Sequence, residues 1–261
     1  MKLTNSTLTP AKGWRRRIPL QLAFLIVVLA IWQGLEMVGL LSQVAVSSPT
    51  AILGELFSLQ QSGQIWGNVA ITLEETAIGY AAGMAVGCGL GFALAFFPRV
   101  MAVLQPYVNL ANAVPRFALA PLFILWFGIG LVPKVALAFS LVVIIAFVNT
   151  LEGARSVDPE MRQIAQIFNA SRWQLVTKLV LPSCVPWVFA AARLSIGYAV
   201  GGAIVGELFA SEAGLGYLLA SGENVNNSAE VFAALVLVVA IAGLLSAGAA
   251  AAERHFTRWR M

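Results

Sequence analysis

DPEMRQIAQIFNASRWQLVTKLVLP, residues 158–182, is a charged, soluble-looking segment in a chain that is otherwise almost all apolar. Its local pattern describes two short helices joined by a turn. Asp158 suits a helix N-cap, Pro159 has the fixed φ of a first helical position, and Glu160 favours the positive end of the helix dipole. Met161, Ile164, Ala165 and Phe168 recur at i, i+3, i+4 and i+7, laying an apolar stripe along roughly 15 Å of helix. Asn169 follows, one of the few non-glycine residues that tolerates the left-handed conformation ending a helix. Ser171 and Gln174 have the spacing of a capping box, so a second short helix starts at once and runs to the residues before Pro182. The segment reads as a docking element. Its stripe is expected to meet either a groove on a partner or this protein's own helix ends.

The rest of the chain says what carries this element. With 59% apolar and 11% charged residues, 261 residues cannot hide their apolar surface in a soluble core, and a lipid bilayer is the natural solvent. At about 20 residues per crossing, spans are expected at 18–41, 65–97, 101–128, 133–151, 183–210 and 229–252. The second is too long for a straight crossing, so it tilts or extends past the bilayer. The expected divisions are a basic tail at 1–17, a first helix and outer loop at 18–48, a core at 49–252 containing a loop at 152–182, and a tail at 253–261.

Positive charge orients the spans, because Lys and Arg stay on the cytoplasmic side of short loops. With the N-terminus inside, Lys2, Lys12, Arg15, Arg16, Arg17, Arg99, Arg155, Arg162, Arg172, Lys178, Arg254, Arg258 and Arg260 all fall inside, and Lys134 alone falls outside. Both termini and the 158–182 loop are then cytoplasmic. Orientation also explains the pI of about 9.4 without a nucleic-acid partner. The Arg15–Arg17 cluster imitates a signal peptide, but the apolar run behind it is too long and reads as a retained helix. Cys88 and Cys184 fall in different spans and indicate no disulfide framework.

Gly79, Gly83, Gly87 and Gly91 form a small-residue stripe on the second span, read as helix packing with pore lining as the alternative; Gly197, Gly201, Gly202 and Gly206 on the fifth are also read as packing, with gating at the Gly201–Gly202 pair as the alternative. Arg116 and Arg193 are intramembrane charges that need a protein or water partner. Arg116 lies between Pro115 and Pro121, where loosened backbone suits a cavity wall, and is a candidate for the translocation path. Arg193 is read as a structural contact near the loop, with a place on the path as the alternative. Glu207, near the outer end of the fifth span, is expected at an outer gate or an inter-subunit contact, and Glu74 and Glu75 are expected to be wetted. The tryptophans Trp14, Trp32, Trp66, Trp126, Trp173, Trp187 and Trp259 mostly fall near the expected membrane interfaces. No phosphate-binding GxxxxGK[ST] loop occurs, and His255 with two separated cysteines makes no zinc site. Catalytic residues, cofactor and metal are therefore expected to be absent.

The same loop resembles a known family. Glu-Ala-Ala, three residues, Gly, nine residues, Ile, any residue, Leu-Pro marks the cytoplasmic loop of permease subunits of bacterial ATP-binding-cassette (ABC) importers. Ala165, Leu181 and Pro182 match it in register, and Leu179 replaces Ile conservatively. Gln163, Ile164 and Asn169 stand where Glu, Ala and Gly are usual, so Gln163 lacks the family's charge while Asn169 keeps the turn. PLFILWFGIG at 121–130, the run from Arg193 to Glu207, GLGY at 214–217 and GLL at 243–245 resemble the nitrate, sulfonate and taurine branch, and the likeness spans roughly 49–254. The resemblance implies an all-α integral membrane protein with six transmembrane helices, the type I ABC importer permease fold and a cytoplasmic coupling helix. It implies a bacterial inner-membrane complex of two permease chains, the second a copy of the first, with two ATPase subunits that bind ATP-Mg. A periplasmic solute-binding protein delivers a small anion from outside. Asp158, Pro159, Met161, Gln163, Ile164, Ala165, Phe168, Asn169, Ser171, Leu179, Leu181 and Pro182 are the expected coupling residues, and Arg116, Arg193 and Glu207 the expected path residues. Related permeases resemble importers of thiamine-precursor pyrimidines or aromatic acids; outside the class the rivals are a passive channel and an integral-membrane enzyme.

Overall fold

The computed structural model describes residues 14–40 and 42–256. Lys2, Lys12, Arg258, Trp259 and Arg260 lie outside them, as do the side chains of Trp14, Arg15, Arg16, Arg17 and His255. Among the described residues all regular structure is helical. In order come α1 (Trp14–Met37), a short α2 (Gln43–Val46), α3 (Pro49–Gln61), α4 (Gln64–Ala95) and α5 (Pro98–Ala113). A 3-10 turn (Arg116–Leu119) leads to α6 (Ala120–Phe127) and α7 (Leu131–Arg155). The loop supplies α8 (Pro159–Ile167) and α9 (Arg172–Leu175), followed by α10 (Leu181–Ala210), α11 (Leu215–Asn224) and α12 (Ser228–Phe256). Among the described residues five continuous helical runs are long and apolar enough to cross a membrane, and α5 with α6, bent by 83°, makes a sixth when the pair is counted as one span.

The centre of the bundle is α7, whose Leu137, Ala138, Val142 and Ala146 are completely buried. Glycine sets how closely its neighbours approach. A methyl group added at Gly79, Gly83 or Gly87 of α4 would stand 2.6, 2.7 and 2.7 Å from the Cβ atoms of Ala138, Val142 and Ala146. The stripe is therefore a packing seam, closed against α7 with no room for a pore. Because the matched residues rise together, α4 and α7 run parallel. On α10, Gly202 meets Ala138 and Gly206 meets Lys134, while Gly153 of α7 meets Trp187, so α10 runs antiparallel to both. Gly197 has open space around it and Gly201 faces only the Phe117 ring at 3.6 Å. Replacing Gly87 by Val should cost about 1–3 kcal/mol through overpacking, whereas Gly89→Val, with nothing within 4 Å, should be close to neutral. Thermal unfolding of the purified variants in detergent checks the pair.

Three expectations change. The single helix over 101–128 is broken: Val114 is extended (ψ 126°), and Pro115 has no N–H to offer the carbonyl of Ala111. Arg116 takes that carbonyl instead, its Nη2 donating at 2.8 Å. Conversely, the helix does not stop before Pro182. Val176–Val180 forms a π turn that carries α9 into α10, giving one run from Arg172 to Ala210. Widening the hydrogen-bond register absorbs the missing proline N–H that would otherwise break the ladder. Finally, α3 and α11 are short helices in stretches expected to be outer loop. Ser48 caps α3, accepting from the Ala51 N–H at 3.3 Å with Pro49 next in the chain.

Elsewhere α1 touches the bundle near one end. Gln33 Oε1 accepts from the Thr50 N–H and hydroxyl at 3.2 and 3.1 Å, and Trp32 packs edge-on against Phe232 of α12 with ring centroids 5.6 Å apart.

Candidate functional site: the docking loop and the buried polar cluster

Every cap read from the loop sequence is made. Asp158 Oδ1 accepts from the Glu160 N–H at 2.8 Å, and the Asp158 carbonyl accepts from the Arg162 N–H at 3.1 Å. At the other end of α8, Asn169 adopts φ +50°, and the Ala170 N–H returns to the Ala165 carbonyl at 2.9 Å, a six-to-one closure of the helix end. Ser171 and Gln174 form the reciprocal capping box: the Ser171 hydroxyl accepts from the Gln174 N–H at 3.2 Å, and Gln174 Oε1 accepts from the Ser171 N–H at 2.8 Å. Both short helices of the loop are thus closed by local hydrogen bonds. Replacing Ser171 by Ala should loosen α9 by about 1 kcal/mol, read as faster amide exchange at Arg172–Leu175.

The capped loop presents an exposed apolar face. Met161 and Ile164 are about half exposed and Phe168 is 80% exposed. With Ala165, Leu175 and Leu179 they line an open groove of about 350 Å³, edged by Gln174 and Lys178. The stripe is thus not spent on the protein's own helix ends. Two of the groove residues anchor the loop: Leu175 and Leu179 also pack on Ala154, Val157, Val180 and Cys184, and Arg162 Nη2 donates to the Ala154 carbonyl at 3.2 Å. Gln163 and Leu181 are exposed and Pro182 is half-buried.

At the opposite end of α7 lies a cluster that the sequence reading missed as a unit. Lys134 Nζ bonds Glu75 Oε1 at 2.7 Å and the Ser211 hydroxyl at 2.8 Å, with Lys134 6% and Glu75 1% exposed. Ser211 in turn bonds the Ala213 carbonyl. Beside it, Glu207 is 1% exposed: Oε1 accepts from the Thr72 hydroxyl at 2.7 Å and Oε2 from the Gly216 N–H at 2.6 Å. Thr72 Oγ1 accepts from the Leu215 N–H at 2.9 Å, and Asn68 Oδ1 from the Gly214 N–H at 2.7 Å. These groups from α4 and α10 satisfy the free N–H groups at the start of α11, and the carboxylate complements its dipole. Gly214 is required there: φ is +115°, and the Glu207 carboxylate occupies the space where a side chain would stand.

This geometry corrects the expected wetting of Glu75, which is buried and paired with Lys134. Glu207 has both oxygens engaged within the chain. Arg193 stands on α10 with its Nη1 3.3 Å from Glu253 Oε2 of α12, an inter-helix tie. Glu74 is exposed, in keeping with its expected wetting. The missed signal was the spacing Asn68, Thr72, Glu75, at i, i+4 and i+7 on one face of α4. Arg116 remains the cation at the bend, also donating to Asn112 Oδ1 at 3.3 Å. Among the described residues no cluster of three metal-ligating side chains occurs.

The fold and the loop together define a multi-pass transport subunit. Residues 79–260 match the family described as binding-protein-dependent transport system inner membrane component, and the chain belongs to that family. Its members are permease components of ABC transporters, not enzymes, and work in general with a separate ATPase and a binding protein. The chain is 29% identical to the putative aliphatic sulfonates transport permease protein of Bacillus subtilis, over 98% of this chain and 94% of the relative. It is 28% identical to the taurine transport system permease protein of Escherichia coli, over 94% of this chain and 93% of the relative. The riboflavin transport system permease protein of Chloroflexus aurantiacus is 31% identical, over 90% and 88%. Among solved structures, the inward-facing methionine ABC transporter superposes with a TM-score of 0.63 at 19% identity, covering 72% of this chain and 94% of its own. A bacterial ABC transporter that imports the acidic polysaccharide alginate does so with a TM-score of 0.59 at 15% identity, covering 94% and 99%. The chain therefore has the ABC importer permease fold.

Proposed function

We propose that this chain forms half of the translocation path of an ATP-driven importer for a small organic sulfonate of the taurine type. The observation that carries the reading is the doubly capped loop whose apolar stripe from Met161 to Phe168 stands exposed. The sulfonate and taurine relatives support the substrate class. Two copies of the chain assemble with two ATPase subunits, which hold ATP-Mg, and the loop residues from Asp158 to Pro182 couple them. The charge distribution supports both termini and the loop on the cytoplasmic side. A binding protein then delivers solute at the opposite face, beside α11. ATP-driven closure of the ATPases draws the loops together and turns the cavity outward, an alternation between discrete states. In this reading Arg116 meets the sulfonate at the bend, while Arg193 and Glu207 brace the helices around the path.

Tagged purification in mild detergent with mass spectrometry tests the assembly. An ATPase carrying a phosphate-binding loop should co-purify at equal stoichiometry; recovery of this chain alone would refute the reading. Replacing Arg116 by Gln should lower taurine uptake about tenfold or more, the equivalent of ~1.4 kcal/mol, with ATPase recovery unchanged. Undiminished uptake would remove Arg116 from the path.

A further inference from the structure

α5 presents three different faces to its surroundings. Met101, Leu104 and Val108 pack against Phe147, Val148 and Leu151 of α7. Gln105, Asn109 and Asn112 are exposed and recur at i, i+4 and i+7, so they share one face, and the line continues past the bend to Arg116. Gln105 Nε2 donates to Asn109 Oδ1 at 3.0 Å, and Arg116 Nη2 donates to Asn112 Oδ1 at 3.3 Å. On the remaining face Val103 and Leu110 are 68% and 66% exposed and suit hydrocarbon. Three exposed amides in a membrane crossing do not, because lipid offers their N–H and C=O groups no partner. The break at Val114–Pro115 adds a second mark, since interrupted helices occur in membranes where they are buried in protein or line a watery cavity.

We propose that Gln105, Asn109 and Asn112 line the water-filled half of the path between Arg116 and the loop end of the molecule. They pass the oxyanion of the solute along by hydrogen bonds from their amide groups. The three span about 10 Å of helix at 1.5 Å per residue. Neutral amides suit this relay, because each replaces part of the hydration of a sulfonate and none holds it as a second cation would, so the solute leaves. The nature of the anion rests on the function proposed above; the wet face of α5 does not.

The experiment uses single cysteines at 105, 109, 112, 103 and 110, introduced into a chain whose Cys88 and Cys184 are replaced by Ala. Each is assembled with its ATPase in membrane vesicles and exposed to a charged, membrane-impermeant methanethiosulfonate. Cysteines at 105, 109 and 112 should react about tenfold or more faster than those at 103 and 110, which face lipid. Equal rates would overturn the proposal, and so would protection of the amide positions, which would place them against the second chain. In parallel, Asn109→Leu with Asn112→Leu should cut taurine uptake about tenfold, and Ser at both positions should restore part of it. The labelling contrast without taurine import by the parent chain would keep the wet face and refute the sulfonate. Taurine import without the contrast would refute the wet face and keep the function.

Discussion

Replacing Ala165 by Arg is expected to strip the ATPase from the purified complex while the subunit itself stays in the membrane at its normal amount. Ala165 lies within the apolar stripe, in the groove shared with Met161, Ile164 and Phe168, and is only partly exposed. A guanidinium there would be desolvated in an apolar interface without a partner, which costs several kcal/mol. A central contact of this kind commonly carries about 2 kcal/mol or more of binding, so a loss of about 3 kcal/mol, over a hundredfold in affinity, is expected. The helix itself should survive, because Arg is a good helix former and the caps at Asp158, Asn169 and Ser171 are untouched. Comparing ATPase recovery and ATP-dependent uptake with the parent chain checks this. Unchanged values for both would remove the loop from its coupling role.

The second large effect concerns the buried ion pair. Lys134→Met should destabilise the subunit by about 3–5 kcal/mol, because Glu75, 1% exposed, would be left buried without its partner. Adding Glu75→Leu to the same chain should recover most of that loss, since two apolar side chains of similar volume replace two charges that both had to be desolvated. The α11 N-terminus would still be held by Asn68, Thr72 and Glu207. Thermal unfolding of the single and double variants measures the coupling. Equal stability of the two would mean that Lys134 and Glu75 do not act as a pair.

The loop was legible because its signals are local. Caps, the left-handed Asn169 and the i, i+3, i+4, i+7 stripe each depend on residues a few positions apart, and each appears in the structure. The glycine stripe was legible for a similar reason, since close approach of helices demands small residues at one spacing. What escaped depends on partners distant in sequence. Glu75 and Lys134 are 59 residues apart, and Thr72 and Glu207 are 135 apart. An apolar scale reads such groups as interruptions to be wetted; only the parallel packing of α4 on α7 turns one into a buried pair. Prolines misled in both directions. Pro182 looked like a stop, yet a π turn absorbs it. Pro115 sat inside a run apolar enough to pass as one crossing, yet it breaks the helix and leaves the Ala111 carbonyl for Arg116 to bond. Short helices such as α3 and α11 are hidden by length, being too short to cross, although Ser48-Pro49 carried a start signal for the first.

An importer coupled through the 158–182 loop moves a small sulfonate only when ATP is spent on its partner. The most direct measurement is uptake of radiolabelled taurine into vesicles holding the purified complex, with the binding protein on one side and ATP-Mg on the other. Uptake that requires both, and that stops with Ala165→Arg, is the expected result. Taurine crossing the membrane at the same rate without ATP would contradict the account and make the chain a passive channel.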